Sequence, residues 1–151
     1  MTEIRITFLN GPGANLYGLD PSGTYGTESF PALQERCKAH ARDLGVALDF
    51  RQSNSEGVLV DWIQDARRDS DGLVINAAGL TYTSVAILDA LLAFGKPIVE
   101  AHMSNIWKRE PFRHHSYVSR AATGVVAGLG GLGYTLAITA AATLAREAKP
   151  R

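Results

Sequence analysis

The sequence predicts an α/β domain in which one five-stranded parallel sheet, doubly wound, is covered by helices on both faces. The apolar runs are short and continuous, and helical patterns separate them, which is the mark of βαβ units around a doubly buried sheet. The length of 151 residues suits one domain over residues 1–151, enough to bury about two-thirds of the unfolded surface. Hydrophobic residues make up 46% and charged residues 20%, ordinary values for a packed globular chain.

Strands are expected over residues 4–9, 46–51, 72–76, 97–102 and 123–127. After the first strand, Phe30, Leu33, Cys37, Ala41 and Leu44 recur at helical spacing, and Gly45 supplies a left-handed stop. A second helix over 56–68 turns Leu59, Trp62, Ile63 and Ala66 inward. A third over 84–94 ends at Gly95, ahead of Pro97. The last begins around Leu132 and is apolar on so broad a face that neighbouring subunits, as well as the sheet, are expected to cover it. Neither a repeat nor a linker is visible. Five strands alternating with helices in this way fit a three-layer α/β/α, flavodoxin-like architecture, which places ligands at the carboxyl ends of its strands. The loops leaving those ends, 10–26, 52–55, 77–83 and 103–116, are rich in polar residues or glycine. The first holds five glycines without evident regular structure, which suggests a functional lid.

Composition excludes several partner classes. With 15 basic and 15 acidic side chains the formal charge is zero, whereas nucleic acid or an acidic membrane calls for a basic surplus on one face. The lone Cys37 cannot form an internal bridge and reads as a small buried hydrophobe. Met1-Thr2-Glu3-Ile4-Arg5 lacks a basic segment followed by an apolar one, so a cytoplasmic protein is expected. Residues 121–145 carry no charge, as a membrane span would. Gly128, Gly130, Gly131 and Gly133 interrupt that stretch, and it reads instead as a buried strand and a buried helix.

Those glycines also match a dinucleotide fingerprint, G-x-G-x-x-G. The fingerprint belongs at the first βα turn and needs an acidic residue ending the next strand, but here one helix completes the pattern. Close helix–strand packing is the expected reading. A phospho-accepting receiver domain also fails, because Leu9-Asn10 and Asn76 stand where acidic residues are required.

The most informative segment is Pro97-Ile-Val-Glu-Ala-His-Met-Ser-Asn105, with His102 at the carboxyl end of a buried strand and Glu100 two residues before it. Residues two apart on a strand point the same way, so Glu100 can hold the imidazole and favour its proton-donating form. Such a pair suits general-acid work. The amides of Met103 and Ser104, with the serine hydroxyl, form a small anion-binding turn, and Asn76 on the neighbouring strand is a helper. Downstream, Arg109 and Arg113 can present guanidinium groups to a carboxylate or phenolate. His114 and His115 are adjacent, and no Cys or His partner stands at metal-ligand spacing, so neither metal nor cofactor is expected.

At this point a resemblance becomes specific. Leu9-Asn-Gly-Pro12, Tyr25-Gly26, Gln52-Ser-Asn-Ser-Glu56, Asp61-Trp-Ile63, Asn76-Ala-Ala-Gly79, Thr83-Ser84, Glu100-Ala-His-Met-Ser-Asn105 and Arg109-Glu-Pro-Phe-Arg-His-His-Ser-Tyr117 resemble type II 3-dehydroquinate dehydratase motifs in order and spacing. The resemblance runs from about residue 4 to residue 145. It implies a lid tyrosine, Tyr25, whose phenolate removes a proton alpha to a ring ketone. It implies His102 as the acid that protonates the departing hydroxyl of an enolate. Asn76, Met103 and Ser104 would take the substrate carboxylate, and Asn10 belongs to the first of the matching motifs. Arg113 would contact ring hydroxyls with Asp89 from a neighbouring subunit, and Arg109 would lie beside the tyrosine. A homo-oligomer, a dodecamer built from trimers, is implied as well.

The sequence also departs from the family pattern. Family members carry an essential lid arginine where this chain has Asp20, and an asparagine where it has Gly13. Tyr82 replaces a histidine that binds substrate hydroxyls, and Trp107 replaces a second histidine. A phenol is a poor base at neutral pH unless cationic charge favours its ionised form, so Asp20 works against a phenolate and Arg109 offsets it in part. Three readings follow: 3-dehydroquinate dehydration, a related lyase or isomerase acting on another carboxylated cyclic ketone, and a non-catalytic ligand-binding or assembly protein.

Overall fold

The computed structural model describes residues 3–149; Met1, Thr2, Pro150 and Arg151, the ends of the domain expected over 1–151, lie outside the described residues. Five strands, β1 (Arg5–Asn10), β2 (Ala47–Gln52), β3 (Gly72–Asn76), β4 (Ile98–His102) and β5 (Gly124–Ala127), form one parallel sheet in the order β2-β1-β3-β4-β5. Four helices alternate with them: α1 (Phe30–Leu44), α2 (Glu56–Asp69), α3 (Val85–Phe94) and α4 (Gly130–Ala148).

Three of the four helices begin at a local signal. The hydroxyls of Ser29, Ser55 and Ser84 accept from the amides of Ala32, Val58 and Ile87, capping α1, α2 and α3. Gly45 and Gly95 end α1 and α3 in the left-handed conformation. Leu33, Cys37 and Ala41 of α1 join Phe8, Val74 and the buried face of α4 in one core. Leu59, Ile63 and Ala66 of α2 join Ile87, Leu91 and Phe94 of α3 in the other, with Leu9, Leu73 and Ile75. The sheet therefore lies between two apolar layers, and β3 and β4 are buried along their whole length.

Several expectations change. Trp62 packs against the core from its margin and is only half-buried, with the Arg51 guanidinium over its ring at 5.2 Å. The last helix starts at Gly130 rather than near Leu132, on glycines that sequence propensity disfavours. The lid loop is partly ordered: Ala14–Leu16 is a 3-10 turn, Gly13 donates to Asn54 Oδ1 at 3.0 Å, and the Tyr17 ring is buried.

Residues 121–145 resolve into most of α4 and β5, which is an edge strand exposed at Gly124 and Val125 rather than the buried strand expected, and no helix among the described residues is long and apolar enough to cross a membrane. At Gly128, φ is +88° and an added Cβ would stand 2.9 Å from Asn105 Cβ. Gly128 thus lets the chain entering α4 approach the loop after β4, while the helix–strand contact expected of the run falls at Gly133, where an added Cβ would stand 3.4 Å from Val126 Cγ1 of β5.

Candidate active site

The carboxyl ends of β1, β3 and β4 open into a cavity of about 180 Å³. The register places Asn10 of β1 opposite Asn76 of β3, and Ile75 opposite Glu100 of β4. Strand pairing therefore brings two asparagines, a glutamate and a histidine to one end of the sheet. Tyr25, Tyr82, His102, Met103, Ser104, Arg109 and Arg113 all border the cavity, together with Asn76.

Glu100 and His102 project to the same side of β4, as a period of two requires. Glu100 Oε2 lies 2.5 Å from His102 Nε2 and accepts from Ser116 Oγ at 2.9 Å, while Ser119 Oγ donates to Oε1. Burial pushes the Glu100 carboxyl up, but the hydrogen bonds from His102 and Ser119, the histidine charge and Ser116 outweigh it, and its pKa lies below the ordinary value. An ionised carboxylate can only accept, so Nε2 carries the proton and Nδ1 is the nitrogen left to gain or lose one.

Across the cavity, Arg109 Nη1 donates to the Tyr25 hydroxyl at 3.0 Å and to Ser104 Oγ at 3.1 Å. Its guanidinium carbon lies 5.3 Å from the centre of the tyrosine ring. The amides of Met103 and Ser104 donate to no backbone carbonyl among the turns and loops of the described residues. A small anion could accept from both. Arg113 is held by Glu110 at 2.7 Å and covers the Tyr82 ring at 5.3 Å, so a cation and a phenol share one wall.

The remaining wall is a chain of buried amides and phenols. Asn76 Nδ2 donates to Tyr17 at 2.8 Å and to Tyr134 at 2.7 Å, and Asn76 Oδ1 accepts from the Ala78 amide. Tyr134 donates to Asn10 Oδ1 at 2.7 Å, and Asn10 Nδ2 donates to the Arg51 carbonyl. Asn10 is thus fully buried behind the cavity rather than on its surface. Tyr17 stacks on Tyr25 with ring centres 5.1 Å apart. Burial pushes the Tyr17 hydroxyl up to about 12 and, helped by neighbouring Tyr17, raises Tyr134 well above its ordinary value.

Two of the residues singled out in the sequence stand elsewhere. Asp89 is exposed on α3 and does not border the cavity of its own chain. Asp20 turns back on its own loop, accepting from the Ser22 amide at 2.9 Å and the Ser22 hydroxyl at 2.7 Å. Trp107, at one of the positions that depart from the family, is exposed and packs on His114 at 5.5 Å. Conversely, sequence reasoning assigned no role to Tyr17, Tyr134, Ser116 or Ser119, although Tyr17 lies in the lid loop, Ser116 in the matching motif 109–117, and Tyr134 is the one aromatic residue of the uncharged run 121–145. No group of three His, Cys, Asp or Glu side chains among the described residues could hold a metal ion.

The α/β fold thus sets a carboxylate-held imidazole and a phenol bonded to a guanidinium around one cavity. Residues 4–142 match the family model for dehydroquinase class II, and the chain belongs to that family. It is 53% identical over 141 residues to the 3-dehydroquinate dehydratase of Phenylobacterium zucineum (strain HLK1), covering 93% of this chain and 97% of that one. It is 51% identical over 133 residues to 3-dehydroquinate dehydratase 2 of Pseudomonas aeruginosa, covering 88% and 90%. The crystal structure of type II dehydroquinase from Propionibacterium acnes superposes with a TM-score of 0.88 at 40% identity, covering 94% of this chain and 99% of that one.

Proposed function

We infer that the chain is a 3-dehydroquinate dehydratase, a hydro-lyase that converts 3-dehydroquinate to 3-dehydroshikimate and water through an enolate. The observation that carries the assignment of roles is the position of Arg109, which bonds at once to Tyr25 and Ser104 on the cavity that His102 also borders.

In this reading the Tyr25 phenolate takes the proton alpha to the ring ketone, and the electron pair left behind forms the enolate. When the enolate collapses, the ring hydroxyl leaves with a proton from His102, giving water and a conjugated carbon–carbon double bond. Arg109 holds the Tyr25 oxygen by a hydrogen bond and places its charge beside it. Glu100 holds and orients the His102 imidazole through their hydrogen bond. The substrate carboxylate enters the turn at Met103 and Ser104, with Asn76 completing that wall, while Arg113 and Tyr82 meet the ring hydroxyls. Asn10 braces the wall from behind through Tyr134. The steps move only protons and one C–O bond, so they call on neither cofactor nor metal.

The same reading extends to a single catalytic domain that works as a cytoplasmic homo-oligomer, a dodecamer built from trimers, in which Asp89 of a neighbouring copy completes the hydroxyl contacts. Exposed Val125 on the edge strand β5 and exposed Leu129, Leu132 and Leu136 at and within the start of α4 support a contact between copies. The lone buried thiol of Cys37 suits a reducing compartment. Purified protein given 3-dehydroquinate is expected to develop the ultraviolet absorbance of the conjugated product. A stable substrate signal at high enzyme concentration would reject the assignment.

A further inference from the structure

Asn76 has no donor left for a ligand. Its amide nitrogen carries two protons, and both are used, at 2.8 Å on Tyr17 and 2.7 Å on Tyr134. Its amide oxygen accepts from Ala78. Tyr134 has spent its single proton on Asn10 Oδ1, and Asn10 has turned its amide onto the Arg51 carbonyl. The Tyr17 hydroxyl receives a hydrogen bond from Asn76 and lies beside that of Tyr134, and Tyr17 borders the cavity with Asn76 and Tyr25, so its own proton can turn either to Tyr134 or to a ligand in the cavity.

From this geometry we propose that the Tyr17 hydroxyl is a substrate-binding group that donates to the carboxylate of 3-dehydroquinate, and that Asn76 acts behind it as a positioning residue. The inference rests on the dehydratase reading of the site. Three features make the phenol suited to this work. Its ring is fixed by burial and by stacking on Tyr25, so the donor costs little ordering entropy on binding. The Asn76 donation onto its oxygen polarises the O–H bond and strengthens it as a donor. Burial keeps it protonated across neutral pH, so it remains a donor wherever the enzyme works.

The same arrangement couples binding to the base. A carboxylate pulled onto Tyr17 lies beside the ring that supports Tyr25, and Ser104, the other wall of that subsite, shares Arg109 with the Tyr25 hydroxyl. Seating the acid group therefore sets the distance between the substrate ring and Tyr25, which is how a remote contact contributes to an oriented reaction.

The test is Tyr17→Phe in the full-length assembled enzyme, which keeps the ring and removes only the oxygen. Binding of quinate, which bears the carboxylate, is measured beside that of its neutral methyl ester by calorimetry. Quinate is expected to weaken by about tenfold or more, the worth of a hydrogen bond to a charged group, while the ester changes far less and KM for 3-dehydroquinate rises with quinate. Equal weakening of both ligands would assign Tyr17 a packing role and overturn the proposal, as would unchanged quinate binding. A crystal structure of the unaltered chain with quinate bound does not depend on the variant folding. Tyr17 Oη within hydrogen-bond reach of a carboxylate oxygen is expected, and a carboxylate held by Asn76 Nδ2 with Tyr17 turned away would overturn the proposal. Failure of the wild type to dehydrate 3-dehydroquinate is a separate result that strikes the assignment of function, and the binding comparison reads the Tyr17 contact apart from turnover.

Discussion

Arg109 Nη1 lies 3.0 Å from the hydroxyl of Tyr25, and the guanidinium carbon sits 5.3 Å from the centre of that ring. One cation therefore meets the phenol through both its oxygen and its π face. In a chain whose lid carries Asp20 and no arginine, this contact is the one that sets a positive charge against the Tyr25 oxygen among the described residues.

Replacing Arg109 by Leu removes that charge and leaves Ser104 without its donor. We expect kcat to fall by roughly 10²–10³-fold, with a smaller rise in KM, in steady-state assays of 3-dehydroquinate turnover. A variant within threefold of wild type would show that the base draws its activation from elsewhere.

Asp20→Arg tests the same electrostatics from the other side. The native carboxylate is tied to Ser22, whose amide and hydroxyl hold its pKa below the ordinary value, so it is ionised at neutral pH. Exchanging it for a cation is expected to raise kcat about tenfold. An unchanged kcat would show that the lid charge does not reach the reacting groups.

Glu100→Gln separates the support of the acid from the acid itself. The amide cannot stabilise an imidazolium as a carboxylate does, so kcat is expected to drop by roughly 10²-fold, with KM nearly constant. Stability should respond as well. Because the folded-state pKa of Glu100 is depressed, its contribution is fully present above the unfolded value near 4.5 and is lost as pH falls through the folded value. Melting curves recorded below pH 4.5 should therefore fall more steeply for wild type than for Glu100→Gln.

Tyr17 gives the opposite dependence. Its hydroxyl rises from 10.0 to about 12 on folding. A raised pKa means that its contribution is complete below pH 10 and is lost as pH climbs from 10 to 12, on the order of 2–3 kcal/mol in all. Denaturant titrations across that window should show a shallower decline for Tyr17→Phe than for wild type, and parallel declines would contradict the assignment.

The sheet and its helices were legible because each left a local pattern: continuous apolar runs for buried strands, a serine before three helices, a glycine after two. The pairing of Glu100 with His102 was legible for the same reason, since a spacing of two on a strand fixes a shared face. The Tyr17–Asn76–Tyr134 chain was not. Its members lie 59 and 58 residues apart along the sequence, and only the register of β1 against β3, with α4 packed behind, brings them together. A sequence can name Asn76 as an amide near a ligand, but it cannot say how many of that amide's protons are already spent. The charge of Asp20 was likewise readable while its direction, toward Ser22, was a property of the turn. Trp62 shows the limit of helical periodicity, because its place on the inward stripe of α2 gave no hint of the Arg51 side chain laid over its ring.

The division of labour between Tyr25 and His102 is tested most directly by following the substrate's alpha proton in deuterated water by NMR. In His102→Ala the base remains, so that proton should still exchange with solvent while little dehydrated product forms. In Tyr25→Phe both exchange and dehydration should cease. Persistent exchange in Tyr25→Phe, or full dehydration in His102→Ala, would contradict the account.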